Sequence, residues 1–116
     1  MRILVIDDEP LVADVIAEAL RLEDNDVIVA GSGEEGLRVI MQNPPDAVFL
    51  DIVMPRMDGI QVLRAIRERH PALPVIILSG WVSESQLEEA RRLGVTEVLS
   101  KPVPLKNLAH ALRQAG

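Results

Sequence analysis

Chemically reactive side chains stand directly after four of the five apolar runs in this chain. They are two adjacent acids, a third acid, a hydroxyl and an amine, in the order Asp7-Asp8, Asp51, Ser79 and Lys101. Carboxylates that lie close together repel one another, and a hard divalent cation such as Mg²⁺ neutralises them well. A carboxylate can also attack a phosphoryl group whose oxygens are stabilised by a metal, a lysine and a hydroxyl. These residue types together indicate phosphoryl transfer to an aspartate beside Mg²⁺.

Five short apolar runs predict the strands that must position these side chains. The runs are Ile3 to Ile6, Val27 to Ala30, Ala47 to Leu50, Val75 to Leu78 and Val98-Leu99. They are continuous and rich in β-branched residues, and they lack the alternation that a sheet with one wet face would show. We therefore expect strands that are buried on both faces.

Segments with helical periodicity separate the strands. Pro10 suits the first turn of a helix that continues to about Leu22. Capping patterns predict the starts of the second, third and fourth helices at Ser32 with Glu35, Asp58 with Gln61 and Ser83 with Gln86. Gly94 predicts a left-handed end for the fourth helix, whose thin apolar stripe predicts the most loosely held helix of the chain. A fifth amphipathic helix follows, with apolar positions Leu105, Leu108, Ala109 and Leu112.

Strand and helix alternate five times, which is typical of a parallel sheet covered by helices on both faces. Residues that immediately follow parallel strands meet along one edge of such a sheet. A strand order of 2-1-3-4-5 would place strands one and three side by side and bring Asp7, Asp8 and Asp51 together. The uninterrupted pattern predicts one domain over residues 1–116, with no effector domain in this chain.

Composition excludes several classes of protein. The absence of cysteine excludes disulfide scaffolds, zinc-thiolate sites and cysteine nucleophiles, and it agrees with a reducing compartment. A net charge of -6, with no basic run longer than Arg91-Arg92, argues against a nucleic-acid surface. No apolar stretch approaches the length of a membrane span, and the first apolar run is too short for a signal peptide. We therefore expect a cytoplasmic domain that binds neither nucleic acid nor membrane.

With these motifs in place, the sequence resembles the receiver domain of two-component response regulators over essentially all 116 residues. The resembling motifs are I-D-D-E-P with Asp7 and Asp8, L-D-I-V-M-P-R-M-D-G with Asp51, I-L-S-G with Ser79, and S-K-P with Lys101-Pro102. The resemblance implies an α/β fold of three layers, a (βα)5 flavodoxin-like doubly wound parallel sheet with strand order 2-1-3-4-5.

The resemblance also implies a function for each site residue. Asp51 would accept a phosphoryl group from a histidine kinase, a phosphotransfer protein or a small donor such as acetyl phosphate. Mg²⁺ would be bound by Asp8, Asp51 and the Val53 carbonyl, with Asp7 acting mainly through water. The phosphoryl oxygens would be held by Ser79 and Lys101. The only catalysis expected is phosphotransfer to Asp51 and its dephosphorylation, so the resemblance implies a signalling domain and not an enzyme.

The implied conformational switch involves the same edge of the sheet. Lys101-Pro102 would be a cis peptide bond, which is uncommon even before proline. Phosphorylation would draw Ser79 inward and rearrange the loop and helix that follow it. Output would then pass through the surface of the fourth helix, fifth strand and fifth helix, through which a homodimer is also an option.

Two residues depart from the family pattern. Val98 stands three residues before the lysine, where the family commonly has Tyr or Phe as a rotamer switch, and Val103 stands where Phe is common. Trp81, two residues past Ser79, would shield the acyl phosphate, form part of a partner surface or anchor a mobile loop. We expect Ser79, Val98, Trp81 and Val53 to switch or modulate the site.

Three other functions are open at this point. An aspartyl-phosphate hydrolase similar to haloacid-dehalogenase-like phosphatases would have a D-x-D arrangement after strand one, where this chain has Asp7-Asp8-Glu9 and no cap insertion. A degenerate receiver would act as an interaction module without phosphorylation, although such receivers usually lose a site group. A flavodoxin-like cofactor binder would have only Phe49 and Trp81 to stack on a flavin. Asp58 is expected to cap a helix, and His70 and His110 to lie on the surface. Glu9 is expected either to tune the site electrostatically or to be a solvated acid.

Overall fold

The computed structural model of the protein describes residues 1–80, 82–101 and 103–115, and it shows strand and helix alternating five times. The strands are β1 (Arg2–Ile6), β2 (Asp26–Ala30), β3 (Ala47–Asp51), β4 (Val75–Ser79) and β5 (Glu97–Ser100). The helices are α1 (Pro10–Arg21), α2 (Gly33–Gln42), α3 (Gly59–Arg69), α4 (Glu84–Arg92) and α5 (Leu105–Ala115). The predicted alternation is therefore confirmed.

The five strands form a single parallel sheet in the order β2-β1-β3-β4-β5. In this order β1 and β3 are neighbours, with Ile6 opposite Leu50 at the end of their pairing. The first residues after these two strands therefore meet at the same edge. This is the flavodoxin-like arrangement that the resemblance implied, and it creates the switch point at which such sheets place their ligands.

Two apolar cores lie on opposite faces of the sheet. One contains buried residues of α2, α3 and α4, such as Ile40, Leu63 and Ala90, packed on one face of the central strands. The other contains buried residues of α1 and α5, such as Ile16 and Leu108, on the opposite face. The central strands β1, β3 and β4 are buried on both faces because helices cover each side.

The expectation of burial on both faces is wrong for β2. This strand alternates between exposed and half-buried positions from Asp26 to Val29, and Ile28 is 42% exposed. The reason is its place in the order, since β2 lies at an edge of the sheet and pairs only with β1. A β-branched run is compatible with a half-exposed edge strand as well as with a buried one.

The predicted helix starts are confirmed at three serine or aspartate caps. Asp58 and Ser83 each form a complete capping box with the glutamine three residues on. The Ser32 side chain accepts from the Glu35 N–H, but the Glu35 carboxylate accepts from Gly31 N–H, so this box is incomplete. At up to 12 residues, the helices of the described chain lack the length and apolarity that a membrane crossing requires.

Helix α4 has little apolar contact with the rest of the protein, as its thin stripe predicted. Ala90 is its one buried residue. Two arginines of α3 supply polar contacts instead: Arg64 forms an ion pair with Glu89, and Arg67 donates through Nε and Nη2 to the carbonyls of Leu93 and Gly94 at 2.5 and 3.0 Å. Helix α4 therefore depends on α3 for its position.

Candidate acidic site at the C-terminal edge of the sheet

The strand ends bring the predicted acids to one point. Asp51 is the last residue of β3, and Asp7 follows the end of β1 directly. The Asp7 N–H donates to the Ala30 carbonyl at 3.1 Å, so the chain leaves β1 while still bonded to β2. Both side chains are nearly inaccessible, because Asp7 is 1% exposed and Asp51 is 2% exposed.

Four carboxylates form a compact acidic group at this edge. One oxygen from each of Asp7, Asp8, Glu9 and Asp51 lies within 4.8 Å of the others. Asp8 is half-buried and Glu9 is exposed, so the group extends from the interior to the solvent. Hard oxygen ligands at this spacing, open to water on one side, are the donor set that Mg²⁺ prefers.

Lys101 supplies positive charge to this group. Its Nζ lies 2.8 Å from Asp7 Oδ2 and 3.2 Å from Asp51 Oδ2, and Glu9 Oε1 is 3.6 Å away. The backbone fixes the lysine in place, because the Lys101 N–H donates to the Ser79 carbonyl at 2.8 Å. One ammonium group is therefore shared between two buried carboxylates that come from different strands.

Burial and neighbouring charges shift the pKa values of the central pair. Burial raises the pKa of Asp51 from 3.8 to about 6, with Asp7 adding repulsion, while Lys101 and the Val53 N–H oppose the rise. Burial by itself would lower the pKa of Lys101, but its contacts with Asp7 and Asp51 outweigh that effect and the pKa is raised. At neutral pH both groups of the Lys101–Asp51 pair therefore carry charge.

The loop after β3 fixes the surroundings of the Asp51 carboxylate. The Val53 N–H donates to Asp51 Oδ1 at 3.1 Å, which leaves Oδ2 for Lys101. The Gly59 N–H donates to the Ile52 carbonyl at 2.8 Å, which brings the start of α3 against the end of β3. A Cβ at Gly59 would lie 2.5 Å from the Asp51 carbonyl oxygen, so this approach requires glycine.

Ser79 lies on the strand beside Asp51, and Val98 lies on β5, one strand further away. Ser79 is 2% exposed at the end of β4, opposite Ser100 of β5. Val98 is half-buried in β5 opposite Ile77. The expectations for Trp81 and for the Lys101-Pro102 peptide bond fall on positions 81 and 102, which lie outside the described residues.

Sequence reasoning left one contributor to the site undecided and missed another. Glu9 was expected to be as readily a solvated acid as part of the site, and it lies within the acidic group. The Val53 N–H was not considered, because only its carbonyl was expected to act. A third consecutive acid after β1 was the available signal for Glu9, whereas no side-chain pattern reports a backbone donor.

Solved structures show the same fold. The chain superposes on chemotaxis protein CheY4 of Vibrio cholerae with a TM-score of 0.93 at 24% identity, covering 99% of this chain and 98% of that chain. It superposes on a response regulator receiver domain protein of Clostridium thermocellum with a TM-score of 0.92 at 37% identity, covering 98% and 92%. The fold is therefore the flavodoxin-like fold of these proteins, one of which is a receiver domain at 37% identity.

Sequence comparison identifies the family. The family model for the response regulator receiver domain matches residues 3–113. The response regulator MprA of Mycobacterium sp. (strain KMS) is 36% identical over 113 residues, which are 97% of this chain and 49% of the relative. The chain belongs to the response regulator receiver domain family, which serves two-component signalling as a phosphoacceptor. The chain spans about half the length of the curated relatives it matches. Its membership of this family does not favour the hydrolase and degenerate-receiver alternatives.

Proposed function

We propose that Asp51 is the phosphoacceptor of this receiver domain. The observation that carries the proposal is the contact of Lys101 Nζ with the buried Asp51 carboxylate at 3.2 Å, beside three further acids. A buried carboxylate next to a fixed ammonium group has both a nucleophilic oxygen and a positive charge for the incoming phosphoryl group. The donors are a phosphohistidine of a histidine kinase or phosphotransfer protein, or a small acyl phosphate.

The two oxygens of Asp51 have different environments, and this difference supports a role as nucleophile. Oδ1 accepts from the Val53 N–H, which fixes the plane of the carboxylate. Oδ2 accepts from Lys101. One of these oxygens attacks phosphorus, the bond between phosphorus and the leaving nitrogen or oxygen breaks, and its electron pair departs with the leaving group. Lys101 can then follow the negative charge from the carboxylate to the phosphoryl oxygens.

We further propose that the acidic group binds Mg²⁺ through Asp8, Asp51 and the Val53 carbonyl, with Asp7 acting through water. The donor set fits, since every side chain of the group offers a carboxylate oxygen. A bound Mg²⁺ would supply two positive charges to offset the acids and the phosphoryl oxygens. The 2.8 Å contact with Lys101 occupies Asp7, which supports its assignment to an outer position.

Ser79 and the α4–β5–α5 surface are proposed to carry the response. Ser79 is buried at the strand end next to Asp51, and its carbonyl is bonded to the backbone of Lys101. A hydrogen bond from the Ser79 hydroxyl to the phosphoryl group would move the end of β4. This movement would be transmitted to α4, which has a single buried residue. Val98 replaces the usual aromatic residue, so we propose that α4 itself is the moving element. An effector or a second copy of the chain would bind this surface.

A cytoplasmic location and a purely signalling role complete the proposal. The cysteine-free composition agrees with a reducing compartment, and a kinase donor would meet the domain there. No catalysis beyond phosphotransfer to Asp51 and its hydrolysis is proposed.

The decisive experiment is phosphorylation with acetyl phosphate and Mg²⁺, measured by intact mass. The wild type should gain about 80 Da, one phosphoryl group, and Asp51→Asn should gain none. Asp58→Asn is the matched control, because Asp58 caps α3 and asparagine caps helices equally well. This control should gain the same mass as the wild type. Removal of Mg²⁺ with a chelator should abolish the gain in the wild type and in the control. An unmodified wild type, or a phosphorylated Asp51→Asn, would overturn the proposal.

A further inference from the structure

A cavity of about 520 Å³ opens between α1 and the segment that follows β5. Five of its seven lining residues are apolar, and the complete lining is Glu9, Leu11, Val12, Val15, Ile16, Lys101 and Val103. Its volume falls within the range of cavities that hold small ligands. The α1 side of the mouth is unusually apolar for a surface, since Leu11 is 81% exposed and Val15 is 62% exposed.

Val103 lines the cavity on the side opposite α1. The side chain is half-buried, and it packs against the apolar core beneath α1 and α5. A phenylalanine side chain has four more carbon atoms than a valine side chain. A larger side chain at position 103 would therefore fill part of the space between α1 and the segment that follows β5.

The cavity is continuous with the phosphoacceptor site. Lys101 lines the cavity and also contacts Asp51 Oδ2 at 3.2 Å. Glu9 lines the cavity too, 3.6 Å from the same ammonium group. A single small molecule can therefore place an anionic head group at Lys101 and an apolar tail against Leu11, Val15 and Val103.

We propose that this receiver uses acyl phosphates with chains longer than acetyl as phosphodonors, with the acyl chain bound in the Val103 cavity. The inference rests on the proposed function of Asp51 and adds the substrate class of the same site. An acyl phosphate fits because it joins a dianionic phosphoryl group to an apolar chain. The apolar chain of this donor matches the apolar part of the cavity, and its phosphoryl group would lie at the Asp51 end, beside Lys101.

The reaction balances without a further reactant. An Asp51 carboxylate oxygen bonds to phosphorus, and the bond between phosphorus and the bridging oxygen of the donor breaks. The electron pair stays on that oxygen, so the products are aspartyl phosphate and a free carboxylate, and no proton is exchanged. The released carboxylate is negatively charged and lies beside Glu9, which favours its departure from the mouth of the cavity.

The test compares phosphorylation by acetyl phosphate and butyryl phosphate at equal, subsaturating concentrations with Mg²⁺. Each methylene that enters the cavity should raise the rate roughly fourfold through its transfer from water. The wild type should therefore prefer butyryl phosphate, mainly through a lower KM. Val103→Phe and Val15→Phe fill the cavity from opposite sides, and both should lose the preference. The ratio of the two rates within one protein is independent of the fraction that is folded.

Ile28→Phe is the matched control, because Ile28 is an exposed residue of β2 outside the cavity. It should retain the wild-type ratio. Equal rates for the two donors in the wild type would overturn the inference, and so would a preference that survives both cavity-filling variants. In another outcome, the wild type uses both donors at equal rates while Val103→Phe slows transfer from a phosphohistidine protein. That result would assign the cavity to a side chain of the partner and would also overturn the inference. If acetyl phosphate adds no phosphoryl group at all, the proposed function of Asp51 fails first.

Discussion

The ammonium group of Lys101 lies 2.8 Å from Asp7 Oδ2, and the two residues are 94 positions apart in the sequence. The Asp7 side chain is 0% exposed and the Lys101 side chain is 14% exposed, so water screens this ion pair weakly. The contact links the end of β1 to the end of β5 across the strands between them. Among the described residues, Lys101 is the cation that contacts both Asp7 and Asp51. Because two buried carboxylates share this ammonium group, the site is sensitive to substitution of Lys101.

Substitution of Lys101 by methionine should lower both stability and phosphorylation. The variant leaves two buried carboxylates without their cation, and breaking a buried pair by removing one partner costs about 3 kcal/mol or more. Urea denaturation at pH 7.5 without Mg²⁺ measures the loss. Lys106→Met is the matched control because Lys106 is exposed on α5, and its effect should stay within about 0.5 kcal/mol. Equal stabilities for the two variants would contradict the prediction.

Asp51 should make the Mg²⁺-free protein less stable as the pH rises. Its pKa is about 6 in the folded protein and 3.8 as the ordinary value, so the folded state holds the proton more tightly. The stability from this group is fully present below pH 4 and is lost as the pH rises through about 6. The shift corresponds to about 3 kcal/mol.

Asp51→Asn tests this pH dependence, because asparagine does not titrate. Its free energy of unfolding relative to the wild type should increase between pH 4 and pH 6 and then level off, as measured by denaturation without Mg²⁺. Other titrating groups largely cancel in the difference between the two proteins. A difference that is constant with pH would refute the assigned origin of the shift.

Gly59→Ala should disturb the site from the backbone side. The new Cβ would lie 2.5 Å from both the Asp51 carbonyl oxygen and the Ile52 Cα, so α3 or the end of β3 must shift. Such overpacking costs about 1 to 3 kcal/mol, and the phosphorylation rate should fall with it. Gly31→Ala is the control, since its Cβ meets a side-chain oxygen at an ordinary 3.9 Å. The prediction is tested by measuring thermal unfolding and the rate of phosphorylation by acetyl phosphate for both variants.

Arg67→Met should release helix α4. The Arg67 guanidinium donates to four backbone carbonyls, those of Leu93, Gly94, His70 and Leu73, and so ties α3 to the end of α4. Loss of these charged hydrogen bonds should cost about 2 kcal/mol and increase amide exchange in α4 more than in α1. Arg64→Met removes only a partly exposed ion pair with Glu89 and should cost less than about 1 kcal/mol. Uniform exchange changes across the helices would argue against this role of Arg67.

Local sequence patterns were enough to predict the elements and the strand ends that carry the reactive groups. Short β-branched runs, capping residues such as Asp58 and Ser83, and the left-handed Gly94 are local signals, and each one acts within a few residues. The alternation of strand and helix then required a parallel sheet with its reactive residues at one edge. The acids, the hydroxyl and the lysine could be assigned to that edge for the same reason.

The particular atoms that meet at this edge depend on how the elements pack in three dimensions. Local patterns do not specify that Lys101 contacts Asp7 as well as Asp51, or that Glu9 joins the acidic group. The half exposure of β2 likewise depends on its missing neighbour and not on its own residues. The cavity beside Val103 needs α1 to lie against the segment that follows β5, which is distant in the sequence. Contacts between residues far apart in the chain are set by how whole elements pack, and for that reason they appear only in the folded molecule.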